Sequence, residues 1–156
     1  MSAVEERLAA MGYSVPDVVP PVAAYVPALR QGDWVFVSGQ LPMRDGAMPA
    51  TGKVGDGPGQ VSPEAAKQLA AFCALNGIAA VKSVIGDLDK VVRIVKVVGF
   101  VASAPGFNGQ PAVINGASEL MGEVFGPAGA HARSAVGVSE LPLNAPVEVE
   151  LIVEVV

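Results

Sequence analysis

Arg133 and Glu148 bracket the stretch HARSAVGVSELPLNAPVE, with two short strand patterns between them. A guanidinium is a planar fork that matches a carboxylate, and a nearby carboxylate can orient and deprotonate water. Ser134–Val138 is an apolar run ending at a turn, and Leu141–Pro146 interrupts pairing because proline donates no amide hydrogen. From Val147 the pattern alternates to the C-terminus. If these two strands pair, Arg133 and Glu148 come towards the same end of a sheet. By themselves the two residues read more readily as a structural ion pair, at a subunit interface.

The rest of the chain must supply that sheet. Ser2–Glu5 reads as a capping box opening a short helix from Val4 to about Met11, and Gly12 ends it. Ser14–Val22, with Pro16, Pro20 and Pro21, reads as an extended strap over the surface. Ala23–Leu29 is a broken strand, Gln31-Gly32-Asp33 a turn, and Trp34–Ser38 a strand, which together make a hairpin. Gly39 would allow a close approach. Met43–Val61 is rich in glycine and proline and long for a loop, which suggests a functional segment or a lid.

Ser62-Pro63 starts a helix running to about Ile85, with Leu69, Phe72, Cys73, Ala79, Ala80 and Val84 as its inward face. Val91–Val101 is the best central strand. A second helix starts at Pro111 and ends near Phe125, with Val113, Ile114, Ala117, Leu120, Met121 and Val124 inward. The order β-β-α-β-α-β-β predicts an α+β fold, a mixed sheet with both helices on one face. In the last strand Val147, Val149, Leu151, Val153 and Val155 share one face, and Glu148, Glu150, Ile152 and Glu154 the other. The sheet face without helices must be buried elsewhere, and oligomerisation is the natural answer.

Composition narrows the function classes. The 156 residues fit a single domain, 1–156, with 1–22 as N-terminal helix and strap. Hydrophobic residues make up 51% and charged residues 16%, which favours a packed core over disorder. Apolar runs are broken before the roughly 18 residues that span a bilayer, so no membrane segment is expected. With one Cys and one His, a zinc site is not expected. Cys73 alone, with no visible secretory signal, suits a reducing, cytoplasmic setting. The net charge of −5 and the absence of a basic stripe count against nucleic acid as a partner.

Tyr25-Val26, then Ser38-Gly39-Gln40-Leu41-Pro42, then Ala132-Arg133-Ser134, then Leu141-Pro142 and Val147-Glu148-Val149-Glu150 stand in one order. That series resembles the reactive-intermediate deaminase (Rid or YjgF) family, also known as the L-PSP endoribonuclease family. The resemblance covers the chain from Tyr25 onward, within a core of residues 23–156. It implies a chorismate-mutase-like fold assembled as a homotrimer, with sites in clefts between subunits. It implies that Arg133 grips a substrate carboxylate and that Glu148 is the catalytically associated glutamate. Tyr25, Ser38, Gly39, Asn115 and Ala135 match substrate-contacting positions, Asn115 with its spacing to the arginine shifted by one. Ala135 stands where many members have cysteine, and His131 where the archetype has proline. The longer Met43–Val61 loop and the N-terminal helix also depart from the archetype and indicate a divergent subgroup.

The implied reaction is hydrolysis of the enamine/imine form of an amino acid to a 2-keto acid and ammonia. It needs no metal or organic cofactor, because a protonated imine is already electrophilic. Two other readings compete: a non-catalytic binder of small carboxylates at the same clefts, and the endoribonuclease of the family's older name. His131 as a lone loop histidine reads as structural, and Cys73 as core.

Overall fold

Eight regular elements follow the expected order: α1 (Ala3–Ala10), β1 (Ala28–Gln31), β2 (Trp34–Gln40), α2 (Pro63–Ile85), β3 (Val91–Ala102), α3 (Gln110–Phe125), β4 (Ala132–Val138) and β5 (Val147–Val155). They come from a computed structural model that describes residues 1–156. The first strand begins at Ala28, later than the expected Ala23, because the preceding residues form bends. The starts of α1 and α2 are fixed by side-chain caps. Ser2 and Glu5 form the full capping box, and the Ser62 hydroxyl accepts from the Ala65 amide above Pro63 at the first turn.

The sheet is mixed, in the order β1-β2-β5-β3-β4, antiparallel except for the parallel β3–β4 pair. The closing strands therefore do not pair with each other. β3 is long and β-branched enough to take a neighbour on each side, and it lies between β4 and β5. The link between them, with Leu143 and Asn144 at positive φ, crosses the end of β3. The parallel pair needs α3 as its crossover, the usual requirement for parallel neighbours.

The odd-numbered residues of β5 are buried under the helices, as the alternation predicts. All six inward positions expected on α3 are buried; on α2, Phe72 and Val84 are only half-buried. α2 is 23 residues long with a mean hydropathy of 1.5 over its most apolar window, 72% of which is buried in the core. Its apolar character is thus spent on β2, β5 and α3. Gly116 permits the helix contact: a Cβ there would lie 1.9 Å from the Lys67 carbonyl oxygen.

The opposite sheet face is uncovered within the chain. Leu29, Phe36, Ile152 and Lys96 form one row across it, with Leu29 56% and Phe36 45% exposed. The Met43–Val61 segment is not a free lid along its length. Val54 is fully buried, its amide donating to Ala102 O (2.7 Å) and its carbonyl accepting from Ala104 N (2.9 Å). Only Met43–Gly46 of this segment reaches the main cavity.

Candidate functional site

The site residues fall into two separate groups. The first surrounds a cavity of about 810 Å³ at the end of the sheet where β2 finishes and β5 begins. The proline strap forms one wall, and Tyr25, Gly39, Asn76 and Glu148 reach it from the other elements. β2 carries an extra residue here: Val37 lies opposite Leu151 but Gln40 opposite Val149, a bulge at Ser38–Gly39. The bulge turns Gly39 towards Glu148, so closely that a Cβ at position 39 would sit 1.9 Å from Oε1.

Glu148 forms no ion pair in the chain. Burial raises its carboxyl above the ordinary range, and the charge of Glu150 adds to the effect. Cys73 is fully buried behind it, and burial pushes that thiol well up. Ser38 does not line this cavity. Its hydroxyl donates to Val26 O (2.6 Å), tying the segment just before β1 to β2, and it lines a smaller cavity on the uncovered sheet face with Tyr25 and Phe36. The Tyr25 hydroxyl accepts from the Val22 amide at 3.4 Å.

The second group is built by the β3-α3-β4 crossover. Arg133 sits opposite Val97 on the helix-covered side of the edge strand β4. Its Nη1 donates to Asn115 Oδ1 (2.8 Å) and Ser118 Oγ (3.3 Å), and Nη2 donates to Pro111 O (3.3 Å). The Nε–H and one Nη2 hydrogen have no partner in the chain, which leaves an edge of the fork for a ligand. Asn115 is therefore a hydrogen-bond partner of Arg133. Ala135, opposite Gly99, packs against the core.

His131 and Ser118 complete this group, and the sequence alone did not connect them to Arg133. Nδ1 of His131 faces Gly129 O at 2.6 Å, and a carbonyl can only accept, so Nδ1 carries the proton in the neutral ring. Nε2 then accepts from the Ser118 hydroxyl at 2.9 Å, leaving the Ser118 oxygen free to accept from Arg133. His131 is structural, as expected, but what it structures is the arginine.

Arg133 and Glu148 do not meet within one chain. Glu148 pairs in register with Phe100, three residues along β3 from Val97, and belongs to the opposite face of the sheet. Two strand spacings, about 10 Å, also separate them. Two further residues of the first group, Asn76 and Arg44, line the cavity without having stood out in the sequence.

The model of the family described as Endoribonuclease L-PSP matches residues 16–155. Protein TCP17 of Trypanosoma cruzi is 41% identical over 152 residues, spanning 97% of this chain and 93% of that protein. A crystal structure of the Agrobacterium tumefaciens protein Atu1372, of unknown function, is 45% identical with a TM-score of 0.91, covering 99% of this chain and 93% of that one. E. coli TdcF, solved with bound serine, is 26% identical with a TM-score of 0.57, covering 90% and 92%. The motifs, the five-stranded mixed sheet and these matches agree: the chain belongs to the L-PSP endoribonuclease family of YjgF-like proteins.

Proposed function

We propose that this protein is a hydrolytic deaminase of enamine/imine intermediates of amino acids, with sites completed between the subunits of a homotrimer. The observation that carries the reading is the separation of Arg133 from Glu148. Each is pre-positioned with unused polar atoms, on opposite faces of one sheet, so only a second copy can bring the pair together. The uncovered row of Leu29, Phe36 and Ile152 supplies an apolar surface for that copy.

In this reading the Nε/Nη2 edge of Arg133 takes the substrate carboxylate bidentately and fixes the imine carbon. Glu148 of the neighbouring subunit accepts a proton from water as the oxygen bonds to that carbon. Its raised proton affinity makes it a stronger base than an ordinary carboxylate. Glu148 then returns that proton to the nitrogen of the carbinolamine, the C–N bond breaks as ammonia leaves, and the hydroxyl proton passes to the departing ammonia, so protonated imine and water give 2-keto acid and ammonium. Tyr25 closes the cavity wall. The reaction is carried by the iminium's own electrophilicity.

A second reading, binding of small carboxylates without turnover, is favoured by the relative TdcF, which was solved with bound serine. It retains Arg133 and leaves Glu148 without a catalytic role. The RNA cleavage in the family's name fits poorly with a net charge of −5.

The deciding experiment generates imines with an amino-acid oxidase, traps them with semicarbazide and asks whether the protein suppresses trapping. Suppression by wild type that is lost in Arg133→Ala and Glu148→Gln supports deamination. Carboxylate binding with no suppression, in a folded trimer, moves the function to ligand binding.

A further inference from the structure

Arg44 presents an unpaired cation to the same cavity as Glu148. Its guanidinium stacks on the Phe72 ring, 4.4 Å from the centroid, and has no side-chain hydrogen bond or ion pair within the chain. Face-on stacking spends the plane of the guanidinium and leaves its in-plane N–H donors directed outward. Asp17 and Asp45 also line the cavity, and neither pairs with it.

The cation is held firmly. Arg44 and Ala47 exchange two backbone hydrogen bonds of 2.9 Å around Asp45 (φ 50°) and Gly46 (φ 79°), the Asp-Gly pattern of a type I′ turn. Just before it, the Asn76 amide donates to Leu41 O (2.9 Å) and Met43 O (3.0 Å). Phe72 and Asn76 are four residues apart on α2, so one helix stripe fixes both the side chain and the backbone of Arg44. Asn76 is 1% exposed, and no fully enclosed polar side-chain atom in the chain lacks a partner. Its Oδ1, which accepts nothing, is therefore the atom through which it meets the cavity.

We propose that Arg44 is the subsite for a second anionic group, so that the substrates are dicarboxylic: imines of amino acids whose side chains end in a carboxylate. The proposal rests on the deaminase reading for its chemistry. The neighbour's Arg133 holds the α-carboxylate, Glu148 addresses the imine carbon, and Arg44 receives the far carboxylate. Asn76 Oδ1 is placed to accept from the imine or enamine nitrogen.

The test compares imines generated from aspartate and glutamate with those from alanine and leucine, in wild type, Arg44→Gln and Arg44→Lys. A charge-assisted contact predicts a kcat/KM preference of about tenfold or more for the dicarboxylic imines. Arg44→Gln should bring that ratio towards one, and Arg44→Lys should restore part of it. Calorimetric titration with 2-oxoglutarate and with 2-oxobutyrate gives a second readout that needs no turnover. Tighter binding of the dicarboxylate, lost in Arg44→Gln, supports the subsite even if no imine is hydrolysed, an outcome that would sink the deaminase reading alone. Equal preference in wild type, a preference that survives Arg44→Gln, or no binding of either acid would overturn it.

Discussion

The Glu148 carboxylate occupies the volume that a side chain at Gly39 would need, with Oε1 1.9 Å and Cδ 2.8 Å from the site of a Cβ. Gly39 is not at positive φ, so its lack of a side chain matters for space and not for backbone freedom. Gly39→Ala should therefore displace Glu148 without straining its own backbone. Overpacking at such a contact costs about 1–3 kcal/mol. The expected result is a folded protein with a modestly lowered Tm and a kcat reduced far more than that Tm change implies. Full activity with unchanged Tm would show that Glu148 has room to move.

Subunit mixing tests the proposed intersubunit site directly. Arg133→Ala retains Glu148, and Glu148→Gln retains Arg133, so an interface formed by one of each contains an intact pair. Co-refolding equal amounts of two inactive variants should recover about a quarter of wild-type activity for random assembly of a cyclic oligomer. No recovery, with mixed trimers demonstrated by mass spectrometry, would place both residues in one subunit's site or in none.

The Ser118–His131 chain behind Arg133 predicts an effect on binding. Ser118→Ala removes one acceptor of Nη1 while Asn115 Oδ1 remains, so the guanidinium is loosened and not lost. KM for the carboxylate substrate should rise about three- to tenfold, consistent with one hydrogen bond to a charged group, with kcat changed less. Asn115→Ala should act in the same direction and more strongly, because it removes the shorter bond.

Two carboxylates should shift stability with pH in opposite senses. Burial raises Glu148 above its ordinary value, so the folded chain holds this proton more tightly than the unfolded one. Stability from that group is present at low pH and is lost as pH rises through the folded pKa. Glu148→Gln should then raise Tm at pH 7 and leave it unchanged well below pH 4.5, the ordinary carboxylate value. Glu150→Gln, by removing the neighbouring charge, should move the acidic limb of the activity profile, where Glu148 loses its proton, to lower pH.

Glu5 shows the reverse. The hydrogen bond from Lys82, with those of Ser2, lowers its carboxyl to about 2 from 4.5. Its contribution is full above the unfolded value and disappears as pH falls from about 4.5 through about 2. Thermal melts across that window should show wild type losing its advantage over Glu5→Gln. α1 is also held to Asp89 through the amides of Ala3 and Val4, so loss of the Glu5 contribution alone should not detach the helix.

Much of this architecture was legible in the residues. Ser62-Pro63 marks the start of α2, the alternation from Val147 assigns both faces of β5, and Val91–Val101 stands out as a central strand. These are local signals of capping and burial period. Strand order was not legible in the same way. Whether β4 pairs with β5 or with β3 depends on where α3 packs, which no local pattern encodes, so the condition for Arg133 and Glu148 to share one end of the sheet, pairing of β4 with β5, is not met. The pattern also could not tell that the Ser38 hydroxyl is used by Val26. Arg44 and Asn76 went unnoticed because their roles arise from a stacking partner and a pocket contributed by different elements. The Asp45-Gly46 turn beside Arg44 was the one readable hint.

The two groups of site residues also belong to different parts of the topology. Arg133 and its partners Asn115, Ser118 and His131 all come from the single crossover β3-α3-β4 and its flank. The cavity around Glu148 is assembled from the strap, the β2 bulge, the Met43–Gly46 turn and α2. Substitutions in the strap or turn should thus reshape the cavity while the hydrogen bonds that hold Arg133 keep their form. One contiguous crossover thus holds the guanidinium, while the cavity is shaped by several separate segments.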